Sequence, residues 1–263
     1  MANTQTGHGS DSRVVEYFER HADYYENAQY RTRRRTFINS RHDQIVSILS
    51  ALQLPPTAAV LDAGCGPGNL VPVLAGRFGR VCAMDAAPRM VAIARANAAR
   101  FHNVSYQVGN IEALPFPDAS FDVVCSCGVI EYLPSFDKAL LEMRRVLRPG
   151  GRLVLPTTNA AAPAHWLRPL LEPIARVGIV ARAFGIKPGE FVLHYHRVSD
   201  FKRRIQAVNM TFERERHFYL TLPRPLDRLF PTLARDLEHR MDGYMTTSLR
   251  HLAEGYVVVA RKP

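Results

Sequence analysis

Cysteine is scarce in this sequence, and its spacing carries no metal or disulfide pattern. The four residues are Cys65, Cys82, Cys125 and Cys127. They fall in or beside short apolar runs and include no CxxC pair, which argues against zinc frameworks and disulfide scaffolds. We therefore predict reduced thiols that pack as small apolar side chains, and no metal site.

Long apolar runs are also absent. The first twelve residues, MANTQTGHGSDS, are polar, so residues 1–12 predict a disordered tail and not a secretory signal peptide. The most apolar stretch, residues 160–184, is interrupted by three arginines and a glutamate. These charges exclude an ordinary membrane-spanning helix. The sequence thus predicts a cytoplasmic protein.

Lysine is rare among the basic residues. Only four of the 34 are Lys, the remainder are Arg, and the formal net charge is +10. This charge favours an anionic partner, which could be nucleic acid, a membrane surface or an acidic substrate. Arg binds phosphate and carboxylate in bidentate fashion. An Arg bias also arises from genome composition, so the charge alone does not choose among these partners.

What the sequence does contain is a regular alternation of strand and helix patterns. Short apolar runs alternate with amphipathic segments of helical spacing, which predicts a parallel sheet in a doubly wound α/β layer fold. The predicted strands are residues 58–64, 80–85, 104–109, 121–128, 152–158, 210–220 and 255–262. The predicted helices are residues 70–78, 88–100, 136–147 and 199–208, the last with Ser199 as its N-cap.

The pattern divides the chain into a core domain with additions. With 263 residues and 47% hydrophobic content, the chain can bury one sizeable core. Residues 51–263 are predicted to form it, preceded by an Arg-rich helical lid at residues 13–50. Residues 159–197 and 221–254 are too long for plain connections. We interpret both as helical lid insertions.

The stretch AVLDAGCGPGNL poses the sharpest question about function. Gly64, Gly66 and Gly68 stand where a strand turns into a helix, but in GxGxG spacing instead of the GxGxxG of dinucleotide sites. Asp62 precedes them, and a carboxylate there would repel a pyrophosphate but attract an ammonium group. Asp85, 21 residues after Gly64, can accept both hydroxyls of a ribose. These features favour a nucleoside with a cationic amino-acid tail over a nicotinamide dinucleotide.

Four motifs follow one another along the chain: VLDAGCGPG, VCAMDAAPRM, GNIEALPFPDASFDVVCSCGVIEYL and RRVLRPGGRLVL. In this order they resemble the motifs of class I S-adenosylmethionine (SAM) dependent methyltransferases. Within that family the chain is most similar to the ubiquinone and menaquinone biosynthesis methyltransferases. The likeness covers residues 58–158 closely and the rest only as an order of elements. It implies a Rossmann-like, seven-stranded mixed sheet of order 3-2-1-4-5-7-6, with helices on both faces and the last strand antiparallel.

The resemblance also implies a cofactor site for SAM, with S-adenosylhomocysteine as product. Asp62, Gly64 and Gly66 would hold the methionine part, Asp85 the ribose, and other residues the adenine. At Asn110 the family more often has Asp, but an amide oxygen can still accept the adenine amino proton. The cofactor-binding residues predicted in this way are Asp62, Gly64, Cys65, Gly66, Gly68, Asp85, Ala86, Met90, Asn110, Ile111 and Cys127.

Four residues are candidates for contact with the methyl acceptor. Glu131 and Tyr132 follow the fourth strand, where this fold places its ligands, and His194 and His196 form an HxH pair. A base is needed only for an acceptor that arrives protonated. Each candidate has a structural alternative: a loop acid or cap for Glu131, core packing for Tyr132, and an exposed loop for the histidines. Tyr24 and Tyr25 could form a lid over the pocket or simply pack.

The acceptor itself remains open between two classes. The insertions carry apolar segments with spaced arginines, which could roof a pocket for a small lipophilic metabolite (quinone precursor, polyketide, terpenoid or lipid), rest on an anionic membrane, or pack on each other. In-line methyl transfer to such a metabolite is the favoured function. The alternative is an RNA methyltransferase, or an RNA-binding protein with SAM as ligand, using the stretch RTRRRTFINSR at 31–41. Such a helix is more often a solvated face, and no RNA-binding module is evident. The [DN]PP[YF] motif of the methyltransferases that act on DNA amino groups or on Asn and Gln is also missing, which disfavours adenine and glutamine as acceptors.

Overall fold

The computed structural model describes residues 12–26, 37–163, 193–219, 230, 232–233 and 247–263. Seven strands form one sheet of order β3-β2-β1-β4-β5-β7-β6, which confirms the predicted fold. The strands are β1 (Ala59–Ala63), β2 (Arg80–Asp85), β3 (Val104–Val108), β4 (Phe121–Cys125), β5 (Leu147–Thr158), β6 (Thr211–Phe218) and β7 (Gly255–Arg261). The helices are α1 (Ser12–Tyr24), α2 (Phe37–Ala51), α3 (Val71–Ala75), α4 (Pro88–Asn97), α5 (Asp137–Val146) and α6 (Val198–Ala207), with 3₁₀ helices at Ile130–Tyr132 and Ser248–Leu252.

The sheet is parallel over five strands and antiparallel over two pairs. Strands β1 to β5 pair in parallel, whereas β7 runs antiparallel to both β5 and β6. Parallel strands with helical crossovers are covered on both faces and therefore lack an alternating polar pattern. All five residues of β1 are buried accordingly.

Two apolar cores lie on the two faces of the sheet. Side chains alternate along a strand, so Leu61 of β1 joins a cluster with α5 and α6, whereas Val60 joins a cluster with α2 and α3. Both residues are fully buried. This double layer leaves the carboxyl ends of the parallel strands at one edge, where ligands bind in open α/β sheets.

Most predicted elements are present with boundaries shifted by a few residues, but two details were wrong. β5 begins at Leu147, not at residue 152, because Leu147 pairs with Phe121 and the strand then bulges before Arg152 meets Val123. Helix α6 begins at Val198, one residue early, and its N-cap is Arg197 with no side-chain cap hydrogen bond. Ser199 therefore does not cap it.

The additions to the core are only partly described. Ser12 already belongs to α1, so the predicted tail is one residue too long, and residues 1–11 lie outside the described part. Most of both predicted insertions, residues 164–192 and most of 220–246, also lies outside it. All four cysteines are free thiols, three of them buried, as predicted. No helix among the described residues has the length and apolar character to cross a bilayer.

Candidate functional site

A cleft opens at the carboxyl ends of β1, β2 and β4. Its walls come from the glycine turn, the loops that follow β2, β3 and β4, and helix α1. Nine of the residues predicted from sequence line it: Gly64, Gly66, Asp85, Ala86, Met90, Asn110, Ile111, Cys127 and Tyr132. The structure thus brings together residues from three of the four motifs.

The glycine turn is tied to β2 and leaves space at one position. The Gly64 and Cys65 N–H groups both donate to the Met84 carbonyl, at 2.7 and 2.9 Å. Gly64 has φ +86°, and a Cβ there would lie 2.0 Å from a methyl carbon of Val129. At Gly66, with φ +53°, a Cβ would meet no atom within 4 Å. Gly66 therefore presents bare backbone to open space, as a ligand cradle requires.

The third glycine has a packing role instead. A Cβ on Gly68, whose φ is +85°, would come within 2.8 Å of the backbone and side chain of Ala94 in α4. Gly68 lines neither the cleft nor its side cavity. Close approach of the helix, rather than ligand contact, explains glycine at this position.

Asp85 is held in a fixed orientation at the end of β2. The Gly66 N–H donates to its Oδ2 and the Ala87 N–H to its Oδ1, both at 2.9 Å. Burial raises the pKa of this carboxyl, and the backbone N–H groups oppose that shift. A carboxylate has about four acceptor sites, so beside its backbone contacts, which include Ala86, Asp85 retains acceptor capacity for a ligand hydroxyl.

Asp62 lies beneath the turn and lines a small side cavity with His42, Cys65 and Asn69. It is 1% exposed, and neither carboxylate oxygen has a hydrogen-bond partner among the described residues. Burial, followed by the charge of Asp85, raises its pKa to about 7. An unpartnered buried carboxyl is costly, and a cation placed here would satisfy it.

Sequence reasoning missed both remaining polar residues of this side cavity, His42 and Asn69. His42 contacts the Asn69 carbonyl oxygen through Nε2, at 3.1 Å, and the Asn69 Nδ2 is buried without a partner among the described residues. Asn69 directly follows the glycines, so its position in the turn was a usable signal. His42 comes from α2, far from the motifs, and carried no such signal.

The predicted adenine-edge residues line the cleft with one difference in detail. Ile111 and Met90 are buried apolar walls. The Asn110 Oδ1, which we expected to accept a proton from adenine, already accepts the backbone N–H of Glu112 at 2.9 Å. This contact orients the amide within its own turn.

The residues after β4 divide into a cleft group and a buried group. Tyr132 lines the cleft, and its hydroxyl shares a hydrogen bond with Tyr25. Glu131 is buried behind the wall, where Oε1 lies 3.5 Å from Arg41 Nη1. Burial raises the pKa of Glu131 and the Arg41 charge opposes this. Glu131 is absent from the cleft lining, so the geometry does not support acceptor contact.

The two histidines are not brought to the cleft. The His196 ring packs against Phe136 and Phe201, with centroids 4.8 and 5.7 Å apart, and burial lowers its pKa. The His194 backbone N–H donates to the Glu131 carbonyl at 2.8 Å. Neither histidine lines the cleft or the side cavity beside Asp62. Among the described residues, no group of three or more His, Cys, Asp or Glu is arranged to hold a metal ion.

Helix α1 and the residue that follows it close one side of the cleft. Val14, Val15, Phe18 and Tyr25 all line it, and Phe18 makes edge-to-face contacts with Tyr25 and Tyr132 at centroid distances of 5.3 and 5.2 Å. Tyr25, of the predicted lid pair, is in place, whereas Tyr24 is 53% exposed. The helical spacing of Val14, Phe18 and Tyr25 was the signal for this face.

Comparison with known proteins agrees with this geometry. Residues 61–155 match a family described as a methyltransferase domain. A malonyl-[acyl-carrier protein] O-methyltransferase of Serratia marcescens is 39% identical over 107 residues, 41% of each chain. A demethylmenaquinone methyltransferase of Tropheryma whipplei is 38% identical over 96 residues, 36% of this chain and 40% of the relative.

Similarity also extends to solved structures. The magnesium protoporphyrin IX methyltransferase of Synechocystis PCC 6803, solved with bound S-adenosylhomocysteine, superposes with a TM-score of 0.64 at 17% identity, over 96% of this chain and 99% of that one. The sequence matches span only about two fifths of the length of the first curated relatives.

The fit of a SAM-type cofactor can be judged from three features of the site. They are the unpartnered carboxylate of Asp62, the open face of Gly66 and the oriented carboxylate of Asp85. All three suit a nucleoside with a cationic tail. The sheet order and the family match identify residues 61–155 of this chain as part of a methyltransferase domain.

Proposed function

We propose that this protein transfers a methyl group from SAM to a small, lipophilic acceptor. The observation that carries the proposal is Asp62, a carboxyl buried with both oxygens unpartnered among the described residues, directly beneath an open glycine turn. Burying this carboxyl without a hydrogen-bond partner costs folding free energy. Such a cost is typical of a site that binds a charged ligand. A nicotinamide dinucleotide would instead bring its anionic pyrophosphate to this turn, where the carboxylate would repel it.

The chain's own residues would hold the cofactor by its two ends. Asp62 would accept hydrogen bonds from the ammonium group of SAM. Asn69, in the same cavity, would donate from its buried Nδ2 to the carboxylate of the same amino-acid tail. Asp85 accepts the ribose hydroxyls, with Met90 and Ile111 packing on the adenine. When bound, SAM supplies an electrophilic methyl group on a sulfonium centre.

What remains for the protein is to align the acceptor and exclude water. Alignment alone can provide much of the rate enhancement of a displacement reaction. Phe18, Tyr25 and Tyr132 form an aromatic wall on the open side of the cleft. Tyr132 is the candidate for acceptor contact, whereas Glu131, His194 and His196 do not line the cleft.

Two observations support a metabolite over RNA as acceptor. The cleft wall contributed by α1 is apolar and aromatic, and the relatives named above methylate a malonyl-acyl-carrier protein and demethylmenaquinone. Arg41, one of the arginines of the RNA alternative, is 5% exposed and pairs with Glu131, so it is neither a phosphate contact nor part of a solvated face. Arg31, Arg34 and Arg35 lie outside the described residues, as do the segments invoked for membrane contact.

Titration calorimetry tests the cofactor half of the proposal. We expect micromolar binding of SAM and S-adenosylhomocysteine and none of NAD. Asp62→Asn should remove most of this binding, whereas Asp43→Asn, on the exposed side of α2, is the matched control for loss of one carboxylate. Equal binding by both variants, or binding of NAD alone, would contradict the proposal.

A second assay addresses the acceptor. Purified protein is incubated with SAM and a panel of quinone precursors, polyketides, terpenoids and lipids, with RNA as the comparison, and release of S-adenosylhomocysteine is measured. We expect turnover with at least one lipophilic metabolite and none with RNA. Turnover with RNA only would establish the alternative.

A further inference from the structure

Arg41 is an arginine sealed inside the protein. Its side chain is 7% exposed, and its Nη1 lies 3.5 Å from the Oε1 of Glu131, whose side chain is 5% exposed. A buried ion pair of this kind contributes little net stability compared with apolar residues of the same size, because both charges lose their hydration. Its presence beside the cleft therefore calls for a role other than stability.

The guanidinium also rests on the loop that follows β4. At Gly128, with φ +70°, a Cβ would lie 2.5 to 2.8 Å from the guanidinium atoms of Arg41. The Cys127 thiol shares a hydrogen bond with Arg41. Arg41 thus contacts three residues of one short segment, which we call the β4 loop (residues 126–132).

Glu131 anchors the same loop to two further parts of the chain. Its Oε1 accepts a hydrogen bond from the Thr158 hydroxyl at 3.4 Å, and its carbonyl accepts one from the His194 N–H at 2.8 Å. The Glu131 Oε2 has no partner among the described residues. Arg41 is the cation that pairs with this carboxylate, so removing Arg41 would leave a buried charge uncompensated.

The β4 loop in turn shapes both cavities. Cys127, Gly128, Val129 and Tyr132 line the cleft, and Cys127 also lines the side cavity that holds Asp62. Val129 occupies the position that a Cβ on Gly64 would need. A continuous path of contacts therefore runs from Arg41 through the β4 loop to the glycine turn.

We propose that Arg41 and Glu131 are a positioning pair that fixes the β4 loop against the glycine turn and so sets the affinity of the cleft for its adenosyl ligand. Neither residue need touch that ligand, because the pair acts through Gly128, Val129 and Cys127. The proposal rests on the proposed function only for the choice of S-adenosylhomocysteine as the probe.

The test compares single substitutions with the paired one in the full chain. Arg41→Met alone should lower the midpoint of chemical denaturation, because Glu131 is then buried without its partner. The double variant Arg41→Met with Glu131→Leu should regain most of that stability. Affinity for S-adenosylhomocysteine, measured by calorimetry, should fall about tenfold in the single variant and stay low in the double variant. Recovery of affinity together with stability would overturn the proposal.

A second comparison, between two glycine substitutions, tests the proposal even if an Arg41 variant does not fold. Gly128→Ala forces the guanidinium away, whereas Gly150→Ala introduces the same backbone strain, at φ +77°, with no atom within 4 Å. We expect Gly128→Ala to lose affinity well beyond Gly150→Ala. Equal effects of the two substitutions would refute the positioning role.

Hydrogen exchange separates this proposal from the proposed function. If the wild-type protein binds no S-adenosylhomocysteine, the methyltransferase assignment fails, but amide exchange of residues 126–132 still tests the pair. Exchange there should be faster in Gly128→Ala than in the wild type and in Gly150→Ala. Unchanged protection of the β4 loop would count against the pair.

Discussion

Lowering the pH should weaken binding of the adenosyl ligand through a single carboxyl, Asp62. Its pKa is raised to about 7 by burial and by the charge of Asp85, so in the free protein it holds a proton over much of the range below neutrality. A cationic amino group binds the ionised form. Binding must therefore displace that proton, and the cost of doing so grows as the pH falls.

The magnitude follows from this pKa. The free protein carries about 0.9 proton on Asp62 at pH 6, about half at pH 7 and about 0.1 at pH 8, and binding releases that amount. The dissociation constant for S-adenosylhomocysteine should accordingly rise about tenfold between pH 8 and pH 6, or about 1.4 kcal/mol. The four cysteine thiols electrostatically coupled to Asp62 have raised pKa values and stay neutral in this range.

The assay is calorimetry at each pH in two buffers with different ionisation enthalpies, which gives the number of protons released. Asp62→Asn removes the titrating group and should remove the linkage along with most of the affinity. His42 lines the same cavity, so His42→Gln is the control for its contribution. No proton release at pH 6, or linkage that disappears in His42→Gln, would refute the assignment to Asp62.

The same pKa affects the ligand-free protein. Because the folded pKa of Asp62 lies above its ordinary value of 3.8, the unfolded chain releases this proton at lower pH than the folded one. Asp62 therefore destabilises the fold as the pH rises from about 4 to above 7, by about 4 kcal/mol when fully ionised. Urea denaturation of the wild type and Asp62→Asn should diverge in the variant's favour over that range, and parallel curves would contradict the raised pKa.

Three further substitutions probe the cleft. Asp85→Ala should weaken S-adenosylhomocysteine binding by about 2–3 kcal/mol, as lost charge-assisted hydrogen bonds do; calorimetry with undiminished affinity would remove Asp85 from the site. Gly64→Ala places a methyl 2.0 Å from a carbon of Val129 at φ +86°, so thermal unfolding should show a clear loss of stability, and a wild-type melting curve would show that the turn can rearrange. Tyr25→Phe removes the hydroxyl bonded to Tyr132 and should cost about 1 kcal/mol in urea denaturation, whereas no change would mean that water replaces the bond.

The parts of the fold that could be predicted are those that depend on local sequence patterns. Strand β2 was placed at its observed bounds, because an apolar run ended at an acidic residue and was followed by a proline-led helix. The glycine turn and Asp85 were placed at the cleft for the same reason, since each stands at a strand end. The start of β5 was missed because RPGG is typical of a turn, and only pairing of Leu147 with Phe121 makes it part of a strand.

The site was harder to predict where function depends on distant partners. Arg41 belonged to a run of arginines that suggested a solvated face, and its burial follows from Glu131 and Gly128 on another part of the chain. Likewise, the acidity of Glu131 suggested a catalytic role, although its partner neutralises it behind the cleft wall. Sequence shows the charge of such residues but not which charge lies opposite.

The placement of β7 has a consequence for how the chain acquires its structure. This strand is buried along nearly its whole length and lies between β5 and β6, so β6 is synthesised before the neighbour that it pairs with. Until residues 255–261 have left the ribosome, β6 has no partner in the final sheet and β5 keeps a bare edge. We therefore expect the half of the sheet from β5 to β6 to form after synthesis and to be the part most exposed to aggregation during it.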